Sequence, residues 1–139
     1  MSDRALVDTG PLVSILRARE KTHKHCADAL KTLRRPLLTC WPVLTEAAWL
    51  LRKEPGGYKA LGGLIESGAV EVAEFDRMAS AWIIAFLDRY ASANAQLADA
   101  SLMYLTEREG IDTVFTLDRR DFSIYRTTDG PALRIVPER

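Results

Sequence analysis

Cysteine is scarce in this chain, net charge is absent, and no apolar stretch is long enough to cross a bilayer. Cys26 and Cys40 are the only cysteines. They match no zinc or redox spacing, which excludes a disulfide framework or thiolate metal site and suggests buried thiols in a reducing compartment. Nineteen Lys and Arg balance nineteen Asp and Glu, so no overall field draws the molecule to nucleic acid or an anionic membrane. Contact with a polyanion must come from a local patch or a bound metal. The most apolar run, 78–87, is about half the length of a membrane helix. Met1-Ser2-Asp3-Arg4 leads straight into a strand without a charged-then-apolar leader. A cytoplasmic protein without membrane contact is expected. There are no repeats, low-complexity tracts or linkers. At 139 residues, 47% hydrophobic and 27% charged, residues 1–139 are expected to form one globular domain.

What is present alternates between strand and helix. An apolar strand at 5–8 meets Gly10-Pro11, and Leu12, Ile15 and Leu16 then recur at helical spacing. A basic run, 17–25, opens a second helix with Cys26, Ala29, Leu30 and Leu33 on one face, ended by Arg34-Arg35-Pro36. A strand at 37–40 follows, and Pro42 suits the first turn of the next helix. A helix at 58–67 precedes a strand at 70–75. Asp76 caps a helix carrying Trp82, Ile83, Phe86 and Leu87. Another helix, 95–109, stops at Gly110. A strand at 113–117, a short turn or helix at 118–122 and a strand at 133–136 complete the chain. This alternation predicts an α/β protein, a three-layer α/β/α sandwich around a central, mainly parallel sheet.

That architecture gives four distant acids a common address. Asp8 ends the first strand and Asp118 the strand at 113–117, while Glu46 and Asp99 lie in the opening turns of helices. Strand C-termini and helix N-termini share one edge of a parallel sheet, where ligands bind. Four acids gathered there repel one another unless a cation sits among them. Hard cations such as Mg²⁺ and Mn²⁺ take oxygen ligands, and the absence of His or Cys from these motifs argues against zinc. Asp places its oxygens close to a rigid strand end, whereas the longer Glu46 can reach through water or orient an attacking water. Such a cluster suits phosphoryl chemistry.

Each acid also has an ordinary alternative. Asp8 and Asp118 suit helix caps, Asp99 suits a positive helix end, and Glu46 suits a solvated face. Taken together they require four coincidences of placement, so the joint site is preferred. Thr9 and Thr116 have hydroxyls that can hold carboxylates or simply bond backbone. Arg119 and Arg120 offer guanidinium groups for phosphate or for surface ion pairs. Asp121, one turn from Asp118, is a secondary candidate. The basic run reads as a solvated face, His23 and His25 point to different sides of a helix, and Trp41, Trp49 and Trp82 read as core or interface.

Val7-Asp8-Thr9-Gly10-Pro11-Leu12, Leu44-Thr45-Glu46-Ala47, Leu97-Ala98-Asp99-Ala100-Ser101-Leu102 and Thr116-Leu117-Asp118-Arg119-Arg120-Asp121-Phe122 resemble, in order, the four blocks of PIN-domain ribonucleases. The likeness is greatest to VapC-type toxins of toxin–antitoxin pairs and spans nearly the whole chain. It implies an α/β/α fold, Mg²⁺ or Mn²⁺ dependence and hydrolysis of single-stranded RNA. Asp8 and Asp99 are implied as principal metal ligands, with Glu46 and Asp118 completing an acidic pocket. A homodimer and a cognate VapB-like antitoxin that blocks the site are also implied. The neutral net charge departs from a long basic RNA surface.

Two other classes can be weighed against the residues. Phosphotransfer through an aspartyl phosphate at Asp8 lacks the second Asp that haloacid-dehalogenase phosphatases place two residues on, because Gly10 stands there. A silent RNA-binding module of the same fold gains little from acids that repel phosphate. A non-toxin nuclease in RNA processing remains the alternative within the nuclease class.

Overall fold

The structure is a computed structural model and describes residues 4–128, 130 and 132–138. Met1, Ser2 and Asp3, read above as the lead-in to the first strand, lie outside the described residues. In chain order the elements are β1 (Arg4–Val7), α1 (Thr9–Leu16), α2 (His23–Leu30), β2 (Arg34–Thr39), α3 (Trp41–Leu50), α4 (Gly57–Glu66), β3 (Val70–Val72), α5 (Met78–Arg89), α6 (Leu97–Glu109), β4 (Thr113–Phe115), α7 (Arg119–Ile124) and β5 (Arg134–Val136). The strands form one sheet in the order β3-β2-β1-β4-β5, and every pairing is parallel. The result is the expected α/β/α sandwich.

Parallel strands need crossovers long enough to return over the sheet, and helices supply them. Such a sheet is buried on both faces, which explains the continuous apolar run Ala5-Leu6-Val7 in β1, where each residue has no exposed surface. Leu6 stands beside Val114 of β4 and Leu38 of β2. Leu12, Leu37, Leu51, Leu102, Met103, Phe115 and Phe122 are also fully or almost fully buried, each worth about 1.5–3 kcal/mol of transfer free energy. Helix α6 buries Ala98, Ala100, Ser101, Leu102, Met103, Leu105 and Thr106. It packs on α5, α3 and β1, so it has no single apolar stripe. Cys26 and Cys40 are buried and free. Among the described residues, no helix is long and apolar enough to cross a membrane.

Several boundaries differ from the sequence reading. Helix α2 stops at Leu30, and Arg34, Arg35 and Pro36 open β2 instead of closing the helix. Leu37 resumes the ladder there by donating its N–H to the Ala69 carbonyl at 2.9 Å. Strand β3 ends at Val72, and β4 ends at Phe115, so Asp118 stands on a short connection beyond its strand. Trp41 and Trp49 are not core: they are 64% and 62% exposed on α3. Apolar side chains are common on protein surfaces, and the Arg52 guanidinium lies 3.7 Å over the Trp49 ring. Trp82 is half-buried, and its indole N–H donates to Glu107 at 2.6 Å.

The strand order determines where a ligand can reach. Successive connections move from β1 toward β2 and β3, and later return to β4 on the other side of β1. The reversal opens a crevice beyond the C-terminal ends of β1 and β4, the usual ligand position in such sheets.

Candidate active site

A cleft of about 490 Å³ occupies that crevice, lined by Asp8, Thr9, Gly10, Glu46, Asn94, Gln96, Asp99, Thr116, Leu117, Asp118 and Asp121. All four acids named from the sequence line it, together with the secondary candidate Asp121. Among the described residues, no Lys or Arg lines it. The acids come from the connections just beyond β1 and β4, the second turn of α3, and the first turns of α6 and α7.

Asp8 follows β1, and its backbone N–H donates to the Phe115 carbonyl at 2.9 Å, which fixes it beside β4. Although it stands at the N-cap of α1, its side chain makes no capping bond. Instead, the Thr116 hydroxyl donates to Asp8 Oδ2 at 2.7 Å. The same hydroxyl oxygen accepts the Asp118 N–H at 3.0 Å, so Thr116 ties two of the acids together. Burial pushes the Asp8 carboxyl up to about 6. The Thr116 hydroxyl and the Thr9 N–H oppose that rise, while the charges of Asp99 and Glu46 add to it.

Asp99 lies in the first turn of α6 and closes a capping box with Gln96. The Gln96 N–H donates to Asp99 Oδ2 at 3.3 Å, and the Tyr125 hydroxyl donates to the same oxygen at 2.8 Å. Burial raises its pKa above the ordinary 3.8; these two donors lower it, and the Asp118 charge raises it further. Asp118 does cap α7, where its Oδ1 accepts the Asp121 N–H at 3.2 Å. Asp121 is raised first by burial, then by Asp118 and Asp99, with Arg120 opposing. Glu46 is exposed at the rim on α3.

The remaining candidates divide. Thr116 belongs to the carboxylate network, but the Thr9 hydroxyl donates to the Val43 carbonyl at 3.3 Å, the ordinary backbone role. Arg119 turns from the cleft to β5 and its end, donating to the carbonyls of Pro137 at 2.5 Å and Ile135 at 3.5 Å. Arg120 is exposed and also lies outside the lining. Adjacency in sequence to Asp118 is therefore misleading for Arg119, whose guanidinium bonds to β5 and its end. Within the basic run, Arg17 pairs with Glu20 and Glu54, Arg19 with the same Glu54, and Lys24 with Asp28.

Sequence reasoning missed Asn94, Gln96 and Tyr125. Gln96 and Asp99 form a capping box in the fold, but Gln-x-x-Asp is not the Ser/Thr-x-x-Glu/Gln pattern that marks one in a sequence. Asn94 adopts φ 59, a left-handed conformation that Asn tolerates better than most residues. Nothing local signals Tyr125, which lies 26 positions from the carboxylate it contacts.

The donor set can be tested against a divalent cation. Every charged group in the cleft is a carboxylate, and burial raises both Asp8 and Asp99, so a cation would relieve the cost of ionising them. Among the described residues, no three His, Cys, Asp or Glu already form a ligand group. Such a site suits Mg²⁺ or Mn²⁺ better than zinc, because Mg²⁺ usually binds through one or two carboxylates plus waters and phosphate oxygens.

The family model described as "PIN domain" matches residues 5–127. The chain is 26% identical over 134 residues to ribonuclease VapC26 of Mycobacterium tuberculosis, covering 95% of this chain and 99% of that protein. Its fold is similar to the crystal structure of Mycobacterium tuberculosis VapC20, described as a sarcin-ricin loop cleaving toxin. That likeness has a TM-score of 0.78 at 19% identity and covers 91% of this chain and 99% of the other.

Proposed function

The chain belongs to the PIN domain family, and on that footing we propose that it is a metal-dependent endoribonuclease cutting single-stranded RNA, the toxin of a toxin–antitoxin pair. The observation that carries the reading is the convergence of Asp8, Glu46, Asp99 and Asp118 on one cleft without nitrogen or sulfur ligands. The similarity to a ribonuclease over nearly the whole of both chains supports the choice of RNA. The reading includes action in the cytoplasm as a homodimer restrained by a small antitoxin protein.

Asp8 and Asp99 would be the principal holders of Mg²⁺ or Mn²⁺, with Asp118 and Glu46 completing the pocket and Asp121 in reserve. When bound, the cation supplies positive charge that offsets the carboxylates and stabilises the phosphate as negative charge builds on it. The chain's own residues do the rest. Thr116 fixes Asp8 and the backbone of Asp118 in one arrangement, so little reorganisation accompanies reaction. Glu46, exposed at the rim, can take a proton from the attacking water. The water oxygen bonds to phosphorus, the bond from phosphorus to the 3′ oxygen breaks, and the leaving oxygen takes up a proton. The products are 5′-phosphate and 3′-hydroxyl ends. With no basic side chain in the lining among the described residues, the RNA backbone would be held through the cation and through the amides of Asn94 and Gln96.

Cleavage of defined RNAs with end mapping tests the proposal. Cutting should require Mg²⁺ or Mn²⁺, stop with EDTA, and fall at least a hundredfold in Asp99→Asn while the protein stays folded. Undiminished cutting by that variant would remove the site assignment, and cutting indifferent to EDTA would remove the metal.

A further inference from the structure

We propose that Tyr125 is a positioning residue for Asp99, holding one carboxylate oxygen so that the other remains for a ligand in the cleft. The inference rests on the reading of Asp99 as a metal holder. Tyr125 has no exposed surface, so its hydroxyl is not a solvent-facing group that meets Asp99 by chance. Three aromatic rings grip it edge-on, each with its centroid 5.2 Å away: Phe86 of α5, Tyr90 just beyond α5, and Phe122 of α7. Edge-on contacts of this kind add about 0.5–1.5 kcal/mol each beyond burial. Packing from separate elements thus sets the ring, and the 2.8 Å bond to Asp99 follows from its placement.

The direction of the bonds gives the cage its use. Both hydrogen bonds accepted by Asp99 among the described residues fall on Oδ2. Asp8 is held in a similar way, through its own Oδ2 by Thr116. The two carboxylates that would carry the cation are each steadied by a side-chain hydroxyl before anything binds. Partners that orient a ligating group in this manner typically contribute 10–100-fold to metal affinity. A phenol also suits the task better than a basic group, because it donates without bringing a charge that competes with the cation.

Titration of the full chain with Mn²⁺, following free ion by electron paramagnetic resonance without RNA, tests the inference. Tyr125→Phe keeps the ring and removes the donor. It should raise the Mn²⁺ dissociation constant about 10–100-fold, with the cutting rate recovering largely at saturating Mn²⁺. Tyr90→Phe provides a packing control, since it keeps the edge contact and loses the bond from the Arg126 N–H to the Tyr90 hydroxyl. Its Mn²⁺ affinity should match wild type. In the metal-free protein, the ¹³C shift of the Asp99 carboxyl should move with Tyr125→Phe and not with Tyr90→Phe. Unchanged affinity and shift in Tyr125→Phe, alongside lost binding in Asp99→Asn, would overturn the positioning role alone. Equal weakening by both tyrosine variants would reduce Tyr125 to a packing residue. A wild-type chain that binds no Mn²⁺ would overturn the reading of the site and this inference with it.

Discussion

Replacing Asp8 with Asn should make the metal-free protein more stable while destroying its metal response. Burial lifts the Asp8 carboxyl from 3.8 to about 6, and each pH unit corresponds to about 1.4 kcal/mol. Keeping that carboxylate ionised in the folded state at pH 8 therefore costs about 3 kcal/mol. The folded-state pKa lies above the unfolded one, so the stabilisation from the protonated form is complete below pH 3.8. It is lost as pH rises through about 6. Asp8→Asn keeps the size of the side chain and an oxygen for the Thr116 hydroxyl but carries no charge. Allowing for imperfect partners for its amide N–H groups, the expected gain at pH 8 is about 1–3 kcal/mol, or roughly 3–10 °C in Tm for a chain of this size. The gain should shrink toward zero as pH falls from 7 toward 4. Thermal melts of both proteins across that range, with EDTA and with Mg²⁺ or Mn²⁺, check it. Metal should raise the Tm of wild type and leave the variant unmoved. A stability difference that stays flat with pH, or equal stabilisation of both proteins by metal, would refute the account of Asp8 as a buried charge awaiting a cation.

Two further outcomes follow from the bonding around the cleft. Thr116→Val removes the hydroxyl that joins Asp8 to the Asp118 backbone; it should cost about 1–3 kcal/mol of stability and weaken Mn²⁺ binding about 10–100-fold, measured by melting and metal titration. Arg119→Ala releases α7 from the carbonyls of Ile135 and Pro137. It should lower stability by about 1–3 kcal/mol while leaving cleavage per folded molecule within about twofold at 25 °C; a tenfold loss of cleavage at unchanged Tm would return Arg119 to substrate binding.

The acids were readable in the sequence because each occupies a position that secondary structure alone defines: the end of a strand or the opening of a helix. The apolar run in β1 and the helical spacing after Gly10-Pro11 reveal the first of these units without any tertiary knowledge. Helix α6 was legible as a helix from its length and its Gly110 stop, although packing on several sides erased its apolar stripe. Of the two roles read for Trp41 and Trp49, core or interface, core was excluded by their exposure: hydrophobic character says what a side chain tolerates, not which face of α3 meets the sheet. Arg119 was misread for a similar reason: a neighbour in sequence can point away once a helix begins.

Chain-local chemistry thus determined the alternation of elements, the parallel sheet and the set of acids at its edge. Tertiary structure alone decided which hydroxyls hold those acids, that Arg119 leaves the cleft for β5, and that Tyr125 reaches Asp99. The reason is range. Strand and helix signals act over a few residues, whereas a hydrogen bond between groups 26 or 108 positions apart depends on how whole elements pack.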